Sequence, residues 1–189
     1  MSYFPMMVEL EGENVLVVGG GEEGYKKIKI LKDFGANITL IAPDAEPDAA
    51  EAADRYICRC FEGEDIAEGR YKMVVAATDD RSLNIRIHDN ALKYKIPVNV
   101  VDDTALCTFI FPAIVKDREV VCAVSSGGRS PYVAQHIKKL IEQILPVGIG
   151  DINDQMGVLR ERIKKEYPDS ATRRKVLRDK LNELLFIDH

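Results

Sequence analysis

For its first hundred residues the chain alternates short β-branched runs with segments of helical spacing. Apolar runs predict strands over Asn14–Val18, Asn37–Ala42, Tyr56–Phe61, Lys72–Thr78 and Pro97–Val101. Between them Ile28, Leu31 and Phe34 recur at helical spacing, and Leu83, Ile87 and Leu92 do so less regularly. Such alternation predicts a parallel sheet covered by helices, an α/β fold. The runs "VLVV" and "MVVAA" are apolar at every position, as strands buried on both faces are.

After Asp103 the pattern changes. "FIFPAIV" and "EVVCAV" read as two strands joined by the charged turn "KDRE", a hairpin. A helix follows from Pro131, with Val133, Ile137, Leu140, Ile141 and Ile144 on one stripe. Pro146 and the glycines of "PVGIGD" predict a linker. Ile152, Met156, Leu159 and Ile163 form the stripe of a further helix, which Pro168 interrupts. Asp169 or Ser170 suits the cap of a last helix that buries Val176, Leu177, Leu181, Leu184 and Leu185. The expected division is a Rossmann-type domain over 1–108, a hairpin–helix segment over 109–146 and a helical tail over 147–189. Neither tail helix has the apolar content to fold alone, so its stripe packs either on a second copy or back on the first domain.

Composition narrows the function. With 46% hydrophobic and 30% charged residues, this is the make-up of a soluble protein. No apolar run reaches the roughly 20 residues that span a bilayer, and "MSYFPMMVELEGEN" lacks the features of a secretion signal. The expectation is a cytoplasmic protein with no membrane partner. A net charge of −5 argues against nucleic-acid binding. Arg160 to Lys180 nevertheless holds nine Lys/Arg against four Asp/Glu. Cys58, Cys60, Cys107 and Cys122 lack metal-site spacing, so four reduced thiols and no fixed metal are expected.

The candidate chemistry starts at Gly19-Gly20-Gly21-Glu22-Glu23-Gly24, a G-x-G-x-x-G motif between a buried strand and an amphipathic helix. Gly19 permits a tight turn, Gly21 lets a pyrophosphate approach the backbone, and Gly24 lets helix and strand pack closely. Glu22 and Glu23 oppose a phosphate by sign but suit a first helical turn, where their N–H groups face the ligand. The other reading is a glycine turn without a ligand. Asp44, at the end of "LIAPD", is the nearest acid to a ribose hydroxyl, which favours NAD over NADP. Thr78, in "AATDD", lies at a strand's carboxyl end, where cofactors bind; Asp79 or Asp80 also suits a helix cap. "VNVVDD" places Asn99, Asp102 and Asp103 at the next such end, where an acid can serve as general base. In "SSGGRSP", Ser125, Ser126, Gly127, Gly128 and Arg129 precede a helix that Ser130 caps and Pro131 opens. That loop is an anion site or a simple capped turn.

"YFPM", "VLVVGGGE", "VVAATDDRSLN", "VNVVDD", "FIFPAIV" and "AVSSGGRSP", in this order, resemble the precorrin-2 dehydrogenase family. Its members are often also sirohydrochlorin ferrochelatases, as in the N-terminal half of siroheme synthase. The resemblance implies a Rossmann domain, a hairpin–helix dimerisation segment and a helical tail in an intertwined homodimer. The implied reaction passes hydride from precorrin-2 to NAD, and ferrous iron enters the sirohydrochlorin product. The family's catalytic aspartate falls on Asp102, and its cofactor contacts fall on Glu22, Glu23, Pro43 and Asp44. A serine that some members phosphorylate falls on Ser126. The substrate's eight carboxylates would give the "SSGGR" loop, the basic tail, Lys138 and Lys139 a purpose. Glu23-Gly24 departs from the Val-Ala common in relatives. A chelatase without dehydrogenase activity, or a non-catalytic NAD-binding regulatory protein, are the rival expectations.

Overall fold

The computed structural model describes residues 3–186. Contacts divide the chain into two compact units, Met1–Phe111 and Pro112–His189. In the first, β1 (Asn14–Gly20), β2 (Asn37–Ala45), β3 (Arg55–Cys58), β4 (Met73–Ala76) and β5 (Val98–Val100) form one parallel sheet in the order β3-β2-β1-β4-β5. That is the Rossmann order, whose direction reverses between β1 and β4.

Side-chain alternation along β1 explains its unbroken apolar run. Val15 and Val17 pack with Ile28 and Leu31 of α1 (Glu22–Lys32), while Leu16 and Val18 pack with Ile87 and Ala91 of α3 (Arg81–Lys93). A short helix, α2 (Pro47–Ala52), links β2 to β3 and buries Ala49. Both faces of the sheet are thus dry, and ligand access is left to strand ends.

The structure corrects several expected bounds. β3 ends at Cys58 rather than Phe61, because the Arg59 N–H turns back onto the Ile57 carbonyl; Phe61 is buried beyond the strand. On α3 the inward stripe is Asn84, Ile87 and Ala91, and Leu92 is exposed. Phe34 lies in the turn after α1 rather than on it.

In the second unit β6 (Ala113–Asp117) and β7 (Val120–Val124) pair antiparallel, so "FIFP" precedes the strand instead of opening it. The turn is only Arg118-Glu119, with Arg118 at φ 51°. Three helices follow, α4 (Pro131–Ile144), α5 (Ile149–Glu166) and α6 (Ser170–Phe186). The Ser130 hydroxyl accepts from the Val133 N–H at 3.3 Å, capping α4. Asp169 accepts from the Thr172 N–H at 2.7 Å at the start of α6.

The linker is shorter than "PVGIGD" suggests, since α5 starts at Ile149. Gly148 offers no side chain to cap it; instead the Asp117 carboxylate, 33 residues upstream, accepts from the Gly150 N–H at 2.8 Å. Arg118 pairs with Asp151 and Asp154 on the same helix. The predicted α6 stripe is half-buried rather than buried. On α4, Val133, Ile137, Leu140 and Ile144 are exposed by 40–78%.

Candidate active site

Gly19 and Gly20 at the end of β1, and Gly24 beyond it, are demanded by three different neighbours. Gly19 sits at φ 108°, and a Cβ there would lie 2.2 Å from the Ala77 carbonyl oxygen of the segment after β4. At Gly20 it would meet the Ala45 Cβ at 2.4 Å, where β2 runs alongside. Gly24, on the first turn of α1, would press a Cβ to 2.1 Å from the Gly19 oxygen. Only Gly21 faces open space, with nothing within 4 Å. Gly21 is also the N-cap of α1 and supplies no side-chain bond, so the helix end is left without a side-chain cap.

Glu22 and Glu23 turn away from that role. Each carboxylate lies 2.8 Å from the Lys26 ammonium one turn on. The hydrogen bond from Lys26 holds the Glu22 carboxyl below its usual range. What the turn offers an anion is backbone N–H, with the two acidic side chains drawn to Lys26. This arrangement fits a pyrophosphate: open space in front, uncapped donors behind, and a backbone that no other residue type could hold so close.

Beside the turn, at the carboxyl ends of β4 and β5, lies a cleft of about 310 Å³ lined by Glu23, Thr78, Asp79, Arg81, Asp102 and Asp103 among others. Asp102 is exposed at φ 59°, a left-handed conformation that among non-glycine residues chiefly Asn and Asp tolerate. Among the described residues its carboxylate has no hydrogen-bond or ion-pair partner. Its neighbour Asp103 is instead held by Arg81, at 3.1 Å. Of the two adjacent acids, one is paired with a guanidinium and the other has no side-chain partner among the described residues.

Thr78 is braced rather than idle. Its hydroxyl donates to the buried Asn84 side chain at 2.7 Å, and Asn84 donates back to the Thr78 carbonyl at 2.8 Å. Asp80 caps α3 through the Ser82 and Leu83 N–H groups, which leaves Asp79 facing the cleft. Asn99 does not line it: its amide is buried and donates to the Phe109 carbonyl at 3.1 Å, pinning the chain that follows β5. Pro43 and Asp44 stand exposed at the end of β2, where Cys58 donates to the Pro43 carbonyl. Arg81 and Asn84 were not singled out from the sequence. The signal was available, since an Asp80 cap puts the next residue at a helix start beside a strand end.

The "SSGGR" loop belongs to the second unit and closes on itself. Ser126 donates to the Ser130 carbonyl and accepts from the Ser130 N–H, while Ser125 accepts from the Gly127 N–H. Gly127 and Gly128 take φ of 67° and 76°. Arg129 is exposed. Among the described residues no cluster of acids, histidines and cysteines is arranged to hold a metal ion, and no helix is long and apolar enough to cross a membrane.

Residues 6–113 match a family model described as "Putative NAD(P)-binding". The chain belongs to this NAD(P)-binding family. The match takes in the glycine turn, the Thr78 and Asp102 cleft, and the whole sheet. As a member of that family the chain is 41% identical to the siroheme synthase of Methylococcus capsulatus over 178 residues, 92% of this chain and 37% of that protein. It is 34% identical to that of Nitrosospira multiformis, over 98% of this chain and 42% of the relative. The chain thus spans less than half the length of these curated relatives. Among solved structures, SirC, precorrin-2 dehydrogenase, superposes with a TM-score of 0.72 at 23% identity, covering 94% of this chain and 88% of that one. This NAD(P)-binding chain therefore shares the fold of SirC beyond the family match, through the hairpin and the tail.

Proposed function

We propose that the chain oxidises precorrin-2 to sirohydrochlorin with NAD, and that Asp102 is the general base. The unpaired Asp102 carboxylate, in the cleft beside the uncapped glycine turn, carries this reading. It is supported by relatives named siroheme synthase and by the fold shared with a precorrin-2 dehydrogenase.

Bound NAD supplies the hydride acceptor. The first-turn N–H groups of α1 hold its pyrophosphate, in the space that Gly21 leaves open. Pro43 and Asp44 face the adenosine ribose, and the acid at that position favours a free 2′-hydroxyl over a phosphate. Thr78, fixed by Asn84, lines the cofactor side of the cleft. Oxidation removes one hydride and one proton from the macrocycle; Asp102 Oδ accepts the proton, within reach of a substrate in that cleft. Asp103 is paired with Arg81, which leaves Asp102 as the unpaired acid of the two. Asn99 acts behind the site, by holding the segment after β5 in place.

The name of the relatives also favours a second step. Ferrous iron entering sirohydrochlorin displaces two pyrrole protons, and the same exposed carboxylate can take them one at a time, passing the first to solvent before it receives the second. Ser125, Ser126, Gly127, Gly128 and Arg129 are assigned to substrate carboxylates through loop N–H groups, the Ser125 hydroxyl and the guanidinium, since the Ser126 hydroxyl is spent within the loop. A second copy of the chain is proposed to cover the exposed apolar stripe of α4, making a homodimer.

The test is precorrin-2 plus NAD followed by absorbance, with and without ferrous iron. Asp102→Asn keeps a side chain that tolerates positive φ. It is expected to abolish sirohydrochlorin formation while calorimetry shows NAD affinity intact. Undiminished turnover in this variant would remove Asp102 from the role.

A further inference from the structure

The charged lining of the cleft consists of Glu23, Asp79, Asp102 and Asp103 against a single cation, Arg81. A polycarboxylate cannot approach four acids without a counter-charge, and Lys26, shared between Glu22 and Glu23 on its own helix, offsets only part of theirs. Arg81 is the cation placed to supply it. Its side chain is 74% exposed, whereas that of its partner Asp103 is only 23% exposed.

Asp103 acts as a fixed post. Its N–H donates to the Val100 carbonyl and its own carbonyl accepts from Leu106, so the chain around it is held. The carboxylate takes one guanidinium nitrogen, Nη2, at 3.1 Å. Nη1 and Nε have no partner among the described residues. A guanidinium offers donors in a planar fork that matches a carboxylate. With one arm tied to Asp103, the rest of the fork remains free for a second carboxylate at the mouth of the cleft that holds Asp102.

We propose that Arg81 is a specificity-determining residue that anchors a peripheral carboxylate of the tetrapyrrole at the mouth of the cleft that holds Asp102. The inference rests on the function proposed above. It makes Asp103 a positioning residue, acting through Arg81, and gives the paired acids at the end of β5 distinct tasks.

The experiment compares the full-length wild type with Arg81→Gln and Arg81→Lys in steady-state oxidation of precorrin-2, alongside NAD binding by calorimetry. A charged hydrogen-bonding contact of this kind corresponds to about a ten- to hundredfold change. Arg81→Gln is therefore expected to raise KM for precorrin-2 by that factor, with kcat and NAD affinity within about twofold of wild type. Arg81→Lys, which keeps the charge but not the fork, is expected to recover part of the loss. An unchanged KM overturns the proposal. So does a weakened NAD affinity, which would make Arg81 a cofactor contact, or a fall in kcat alone, which would make it a support for Asp102. A wild type inert toward precorrin-2 fails differently, because it removes the proposed function and this inference with it.

Discussion

The glycine turn separates folding from binding, and two single-methyl substitutions test that separation. Gly24→Ala puts a Cβ 2.1 Å from the Gly19 oxygen. Ordinary contact begins near 3.4 Å, so helix and turn must part by about 1.3 Å. Both sides are backbone, and α1 is seated on Val15 and Val17 through Ile28 and Leu31, so the movement disturbs the core. Overpacking of this kind costs about 1–3 kcal/mol. For a chain of this size that is about 2–4 °C of melting temperature per kcal/mol. Gly21→Ala meets nothing within 4 Å, at φ −79°, which alanine adopts freely. Its expected effect on stability is a few tenths of a kcal/mol, as for the loss of a weak glycine cap. If the pyrophosphate lies where Gly21 leaves room, that methyl group occupies the space, and NAD affinity should fall at least about tenfold, equivalent to about 1.4 kcal/mol. Differential scanning calorimetry and NAD titration on both variants read the two effects independently. A Gly21→Ala protein that binds NAD as tightly as wild type would refute the assigned path of the cofactor. A Gly24→Ala protein of unaltered stability would refute the packing argument.

Three other perturbations probe the scaffold. Both terminal nitrogens of Arg59 bond the Asp65 carboxylate and hold it below its usual range, so the folded pKa lies under the unfolded one. That contribution is present above about pH 4 and is lost as pH falls through the depressed value. The stability gap between wild type and Asp65→Asn in urea should accordingly be wide at neutral pH and close in acid. Asp117→Ala removes the acceptor for the Gly150 N–H and should cost about 1 kcal/mol by thermal melting, with Asp117→Asn losing less. Ile137→Glu with Leu140→Glu places two charges on the exposed α4 stripe. If this stripe holds the proposed homodimer together, sedimentation should report a dimer for the wild type and a monomer for the variant, and an unshifted assembly would locate the interface elsewhere.

What the sequence made legible was whatever neighbouring residues decide. The starts of β1 and β2, the caps by Ser130 and Asp169 and the break before α6 follow from local periodicity and capping chemistry. The misplaced linker shows the opposite case: Gly148 and Gly150 read as a linker, yet Gly150 stands in the first turn of α5, where Asp117 arrives from the hairpin to bond it. Only distant pairing could have revealed that. Likewise Asn99 sits in a strand-end motif that suggests a ligand, but the amide is consumed by Phe109, ten residues on. Asp102 and Asp103 are indistinguishable as letters; the arrival of Arg81 divides them. Leu92 looked like core because it is apolar, whereas the smaller Ala91 has the inward position.

The main-chain twist at Asp102 narrows what substitution can achieve there. Of the side chains that accept such a bend with ease, glycine and asparagine cannot take up a proton at neutral pH, and glutamate, which can, would strain the bend. For the nearest relatives of aspartate the position is thereby closed from two directions, one steric for glutamate and one chemical for asparagine. If Asp102 is the base proposed above, a lineage that lost the aspartate could not regain the reaction by a longer acid at the same site without reshaping the bend as well.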